Sequence, residues 1–187
     1  MSTGAVIGIV IAVIIVILIL SFIGIYNGFV KLRNRVEEAF ATMDVYMKKR
    51  FDLIPNLVET VKGYAAHEKE TLLSVTQART AVMQSSTTEE RLKNENVLSG
   101  ALKSLFAVSE SYPDLKANAN FMDLQKQLQK VEEDIANSRK YYNAVVREYN
   151  TKRESFPSNI IAGMFHFEKK PMFEIAEEER QNVKVEF

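Results

Sequence analysis

Cysteine and tryptophan are absent from this chain of 187 residues, and histidine occurs only twice. Without cysteine there is no disulfide, no thiol nucleophile, no thiolate zinc site and no cysteine to carry a lipid. Two histidines are too few for a His-rich metal centre. Glycine is sparse as well: seven residues, too dispersed to form a loop that cradles phosphate. Nor is there an excess of either charge. Lys and Arg together number 24, as do Asp and Glu, so there is no basic field for nucleic acid and no acidic tail. What the chain does have is an apolar fraction of 47%, unevenly spread.

Ala5 to Ile25 is a run of 21 residues without a charge, AVIGIVIAVIIVILILSFIGI. At about 1.5 Å per residue it extends roughly 31 Å, the thickness of a bilayer core. Sixteen of these residues are Ile, Val, Leu or Phe, and at about −0.3 to −0.6 kcal/mol each they favour insertion by on the order of 5–10 kcal/mol. A cleavable signal peptide needs a basic leader, a core of only about 7–15 residues and a small-x-small cleavage site. Met1-Ser2-Thr3-Gly4 carries no basic residue and no such site follows the run. The expectation is a short tail at 1–4 and a retained transmembrane helix at 5–25, in contact with the lipid bilayer. Gly4/Gly8 and Gly24/Gly28 have GxxxG spacing, which reads either as ordinary spacing in lipid or as a face for helix–helix approach. No Lys or Arg precedes the span, while Lys31, Arg33 and Arg35 follow it closely. By the positive-inside rule the N-terminus lies outside and the body in the cytoplasm.

Beyond the span the apolar residues recur in steps of three and four: Phe29, Leu32, Val36, Phe40, Met43, Met47 and Phe51. This stripe predicts that the membrane helix runs directly into a first amphipathic helix, with Arg35, Glu38 and Lys49 off the stripe. Pro55 removes a backbone donor and disfavours helical geometry at Ile54. It predicts either a kink or a restart capped by Asp52 between Arg50 and Pro55. A further helix is expected from Ala66 to about Gln84, a turn at Ser85-Ser86-Thr87, and a capping box Thr87-x-x-Glu90 opening the next helix, which stops before Pro113. The longest pattern comes last. Phe121, Leu124, Leu128, Val131, Ile135, Ser138, Tyr142, Val145 and Tyr149 alternate steps of three and four, predicting a helix over about 117–155 with Leu128 and Ile135 inward and Lys126 and Lys130 solvated. The fold class is all-α: a single transmembrane helix followed by an antiparallel long-helix bundle over 26–156. In the remaining segment, 157–187, Ile160, Ile161, Met164, Phe165, Phe167, Met172, Phe173 and Ile175 are too apolar for a free tail. Packing back on the bundle is the plainer expectation; contact with a membrane surface or a partner, favoured by Lys169 and Lys170, is the other.

No reactive constellation emerges. A di-metal bundle needs Glu-x-x-His, but Tyr64 and Gly163 stand three before His67 and His166. His67 and Glu68 are adjacent and diverge by about 100° on a helix, so they cannot share a ligand face. Glu132, Glu133 and Asp134 lie off the seam and read as a solvated face. Tyr142 and Tyr149 lie on it and read as core rather than as platforms for bases. Ser138, the polar seam residue, can bond to the carbonyl four residues back or set register between helices. No catalytic, cofactor-binding or metal-ligating residue, no nucleic-acid partner and no small-molecule substrate is therefore assigned.

Several runs do carry a resemblance: Arg50-Phe51-Asp52-Leu53-Ile54-Pro55-Asn56-Leu57-Val58, Val61-Lys62-Gly63-Tyr64, Tyr112-Pro113-Asp114-Leu115-Lys116-Ala117-Asn118, Phe156-Pro157-Ser158-Asn159-Ile160-Ile161-Ala162 and the closing Val185-Glu186-Phe187. With Tyr26-Asn27, Leu32-Arg33-Asn34, His67-Glu68, Ala78-Arg79 and Tyr149-Asn150, they span nearly the whole chain. In these pieces the chain resembles the LemA family of bacterial membrane proteins. The resemblance implies an N-terminal anchor followed by a long-helix bundle, and it attaches neither an enzymatic activity nor a cofactor. A relative takes part in forming magnetosome membranes, which suits scaffolding at a bilayer. There is one departure. Many similar proteins have a lipoprotein signal ending in Cys-Gly-Tyr-Asn, with their body outside the cytoplasm; here the stretch is Gly24-Ile25-Tyr26-Asn27, without cysteine. The expected function is a single-pass, membrane-anchored scaffold or adaptor of the bacterial cell membrane, not an enzyme, acting through self-association or contact with other membrane proteins. The alternative is an accessory subunit of a membrane enzyme such as a protease.

Overall fold

A computed structural model describes residues 2–173. The elements in order are α1 (Thr3–Tyr64), α2 (Lys69–Gln84), α3 (Thr88–Ser109), α4 (Pro113–Lys116), α5 (Ala119–Glu154) and α6 (Ser158–Met164), with no strand among the described residues. The chain separates into two compact units, Met1–Ala39 with Ala144–Lys170, and Phe40–Asn143 with Pro171–Phe187.

The apolar run continues into the amphipathic stripe as one helix. α1 has 62 residues, roughly 93 Å at about 1.5 Å each. In the first unit Phe29, Leu32, Val36 and Ala39 are buried. The Phe29 ring stacks on Phe167 at 4.7 Å and meets Tyr149 edge-on at 6.0 Å. α5 runs antiparallel to α1 there, with Arg35 paired to Glu148 at 3.2 Å. Gly28 lies under the Lys152 side chain: a Cβ added at Gly28 would run into Lys152 Nζ, and that ammonium sits 5.3 Å from the centre of the Phe29 ring. The Gly24/Gly28 pair thus meets a neighbour of its own chain at its second glycine, whereas a Cβ added at Gly4, Gly8 or Gly24 would meet no other described part of the chain within 4 Å.

The second unit is a four-helix, up-down-up-down arrangement of α1, α2, α3 and α5, with each helix antiparallel to its neighbour in sequence. The core includes Ile54, Leu57 and Val61 of α1, Val75 of α2, Leu98 and Leu105 of α3, and Phe121 and Leu128 of α5. Leu115 of α4 closes one end. The connection between α3 and α5 thus contains one helical turn: Pro113 occupies its first position, where the missing N–H is not needed.

Of the two expectations at Pro55, the restart is the one the structure removes. α1 is helical through Asp52 and past Pro55 to Tyr64, so there is no restart capped by Asp52. Pro55 faces solvent, while Ile54 and Leu57 beside it are 1% and 0% exposed. Burial of both flanks outweighs a helix-interior proline cost of about 3 kcal/mol. The carbonyl that Pro55 leaves without its i+4 donor is that of Phe51, and Arg79 Nε of α2 donates to it at 3.4 Å. A second correction is smaller: α2 begins at Lys69 rather than Ala66.

The Thr87 half of the capping box forms as read. Thr87 Oγ1 accepts from the Glu90 N–H at 3.1 Å. The Glu90 carboxylate reaches one residue further back, accepting from the Ser86 N–H at 2.9 Å and from the Ser86 hydroxyl at 3.1 Å. These bonds hold the Glu90 carboxyl below its usual range. Thr87→Ala leaves the Glu90 N–H without its acceptor. It is expected to lower stability by about 0.5–2 kcal/mol, read as a shift of the urea midpoint, with Thr87→Ser close to the parent.

Candidate functional site

Two features stand out from the packing: an apolar surface with little protein cover and a charged cluster built on a wholly buried ion pair. The first is the start of α1. Its large apolar residues from Val6 to Ile23 are all exposed, between 37% at Phe22 and 63% at Leu18 and Leu20. The most apolar window of this helix is 0% buried, and the helix is long and apolar enough to cross a membrane. In water such a surface would be strongly unfavourable, because burying a single Leu or Ile is worth about 1.5–3 kcal/mol. Ring contacts start at Phe22 and Tyr26, both of which meet Phe165, and full burial of the apolar stripe starts at Phe29.

The charged cluster lies in the second unit. Arg50 of α1 is wholly buried, as is Glu95 of α3, and the two are ion-paired. Arg50 Nη1 also donates to Ser99 Oγ at 2.8 Å and to Glu132 Oε1 of α5 at 2.7 Å. One guanidinium thereby joins three helices. A planar fork of donors suits this role, since it can serve several acceptors at once. Ser99 follows Glu95 by four residues, which sets both on one face of α3. One sequence reading changes here. Glu132 is not simply part of a solvated acidic face: its side chain is 37% exposed and holds Arg50. Arg50 itself continues the stripe Met43, Met47, Arg50, Ile54, Leu57, Val61, all buried. Its position on that seam was a legible signal that the sequence reading left unused. Chemically the cluster is a lock. Arg50 and Glu95 have no exposed surface through which a substrate could be reached.

The remaining residues weighed from sequence are dispersed. His67 and His166 are exposed, and Glu133 is solvated. Ser138 Oγ donates to the Asp134 carbonyl at 2.7 Å, the back-bond four residues earlier. Among the described residues no three His, Asp or Glu side chains converge as a metal site. A cleft of about 340 Å³ is lined by Asp44, Asp52, Lys48, Arg79 and Arg91 among others. Its charges are mixed, and Arg91 is already paired with Asp44.

A clamp on the segment after α6 went unread. In the first unit, Asn150 donates to the Lys170 carbonyl at 2.9 Å and accepts the Lys170 N–H at 3.0 Å, while Arg153 Nε donates to the Phe167 carbonyl at 2.8 Å. In the second, Asn143 exchanges two bonds of 2.8 Å with Phe173, and the Tyr142 hydroxyl donates to the Pro171 carbonyl at 2.9 Å. Asn143 and Asn150 each use the side-chain amide to exchange two hydrogen bonds with one residue's peptide groups, in the way a strand edge offers peptides. Of the apolar residues in this segment, Ile161, Phe167 and Phe173 are buried, Ile160 and Met164 are exposed, and Phe165 is exposed on one side while its ring meets Phe22 and Tyr26. Ile175 lies outside the described residues.

Burial pushes the Tyr142 hydroxyl up to about 12 from an ordinary value of 10.0. The folded chain keeps this proton where the unfolded chain loses it. Stability from this group is therefore complete below pH 10 and declines as pH rises from 10 toward 12. Urea midpoints taken across that window are expected to fall less steeply in Tyr142→Phe than in the parent.

Comparison with known proteins gives a consistent answer. The sequence profile of the LemA family matches residues 39–187. Protein LemA of Metamycoplasma hominis is 26% identical over 166 residues, covering 87% of this chain and 74% of that protein. Magnetosome proteins MamQ 2 and MamQ 1 of Paramagnetospirillum magneticum are each 24% identical over 175 residues, covering 80% of this chain and 64% of theirs. The chain thus spans somewhat less than two thirds of the MamQ proteins.

Proposed function

The chain belongs to the LemA family, and from that membership and its uncovered apolar helix we propose that it is a single-pass, membrane-anchored scaffold of the bacterial cell membrane. It acts by binding, to other membrane proteins or to further copies of itself, and not by chemistry. The observation that carries the reading is the full-length apolar surface of α1 from Val6 to Ile23. It runs without interruption into the residues that pack on Tyr149 and Phe167. That two relatives are named magnetosome proteins accords with work at a bilayer. The buried state of Arg50 and Glu95 favours a structural over a reactive use.

Lys31, Arg33 and Arg35 just past the span, with no basic residue before it, favour a cytoplasmic body. The chain has no cysteine, so Lys130→Cys, at a side chain 71% exposed, introduces a single reactive thiol. In intact cells a membrane-impermeant maleimide is expected to leave it unlabelled until lysis. Equal labelling before and after lysis would place the body outside. For the scaffold role, the full chain purified in detergent is expected to run as a homo-oligomer or with non-enzymatic membrane proteins. Stoichiometric co-purification of a membrane protease would replace this reading with that of an accessory subunit.

A further inference from the structure

The exposed apolar residues around α6 form one patch. Within the helix, Ser158, Ile161 and Ala162 are buried, whereas Ile160 and Met164 are 56% and 60% exposed. These two are four residues apart and so share a face. Phe156, just before the helix, is 81% exposed, and Phe165, just after it, 43%. From Ser155 to Phe167, a run of 13 residues, there is no Asp, Glu, Lys or Arg. Single exposed apolar side chains are ordinary, but four large ones on one short, uncharged segment mark an interaction surface.

Its position in the first unit identifies what covers it. The Phe165 ring lies 5.8 Å from the ring of Phe22 and 4.8 Å from that of Tyr26. Phe22 belongs to the uncharged stretch that ends at Ile25, about 4.5 Å inside its end at about 1.5 Å per residue. Tyr26 is the first residue beyond. If residues 5–25 cross the bilayer, as proposed above, then Phe165 and the helix that leads into it lie at the boundary between acyl chains and headgroups. Aromatic residues favour that depth. Two residues later Phe167 stacks on Phe29, so the chain leaves this boundary along α1, away from the span.

We propose that the segment from Phe156 to Phe165 is a second membrane contact, which sets Phe156, Ile160, Met164 and Phe165 into the interface of the bilayer that α1 crosses. The proposal rests on the reading of α1 as a span. A free peptide of this length would not bind: interfacial helices that bind alone are commonly about 20–30 residues long. Here the span has already brought the segment to the surface, and tethering makes the second contact intramolecular. The consequence is orientation. A lone span can rotate about its axis, whereas a span with an interfacial foot beside it holds one side of this unit toward the membrane and leaves the other for partners.

Because the chain contains no tryptophan, single tryptophans report depth. The full chain is reconstituted in phosphatidylcholine vesicles whose acyl chains carry bromine either near the headgroup or near the bilayer centre. Ile15→Trp reports the middle of the span; Ile160→Trp and Met164→Trp report the exposed face of α6; Lys126→Trp, on solvated α5, is the aqueous reference. Ile160→Trp and Met164→Trp are expected to lose most of their emission to the shallow bromines and little to the deep ones, and to be several-fold less quenched by aqueous acrylamide than Lys126→Trp. Ile15→Trp is expected to respond chiefly to the deep bromines. If Ile15→Trp is quenched by deep bromine while both α6 reporters escape bromine, the inference fails and the span stands. Shielding of those reporters from acrylamide would then identify a second copy of the chain as the cover. If Ile15→Trp escapes bromine as well, the span reading fails and the interfacial contact with it.

Discussion

Replacing Arg50 with methionine is expected to cost the second unit about 3–5 kcal/mol, because it strands the buried Glu95 carboxylate without its cation. Glu95 is 0% exposed and has no route to water, whereas Glu132, at 37%, can be resolvated. The two carboxylates therefore predict unequal effects. Glu132→Gln keeps an acceptor for Arg50 and should cost far less than Glu95→Gln, which leaves the buried guanidinium facing a neutral amide. Removing both buried charges together, as Arg50→Met with Glu95→Leu, should recover most of the loss. A buried pair replaced by apolar side chains of similar volume is often neutral or stabilising by about 1–4 kcal/mol. Urea unfolding of the full chain in detergent, followed by circular dichroism, provides the four corners of the cycle. Additive single-variant losses in the double variant would show that Arg50 and Glu95 are not coupled.

Leu128→Asp is the other large effect. Leu128 is 1% exposed and belongs to the second unit's core with Phe121 and Leu105. Truncation alone costs about 2–5 kcal/mol, and the new carboxylate adds the penalty of a charge without a partner. A total at or above about 4 kcal/mol is expected. Two residues on, Lys130 has a side chain 71% exposed and only a 3.8 Å contact with Asp134. Lys130→Asp sets two like charges four residues apart on the surface, at a cost of about 0.5–1 kcal/mol. Thermal unfolding that shifted equally in the two variants would contradict the assigned face of α5.

What the sequence determined by itself was local and periodic. An uninterrupted apolar run needs no tertiary partner to define it. The alternating threes and fours from Phe121 to Tyr149 state which side of α5 is buried, and Thr87 with Glu90 states where α3 begins, because both signals act within a few turns of chain. Tertiary structure decided the rest. Arg50 finds Glu95 and Glu132 at separations of 45 and 82 residues, and no spacing rule connects charges that far apart. Pro55 reads as a break because its intrinsic cost is local, while the burial of Ile54 and Leu57 and the Arg79 donor that offset it come from packing with α2. After Pro157 the sequence shows apolar residues without a period. Only the clamp of α5 side chains on the backbone at Phe167 and Lys170 separates a buried Ile161 from an exposed Ile160, since one residue's rotation about a short helix is set by what holds its ends.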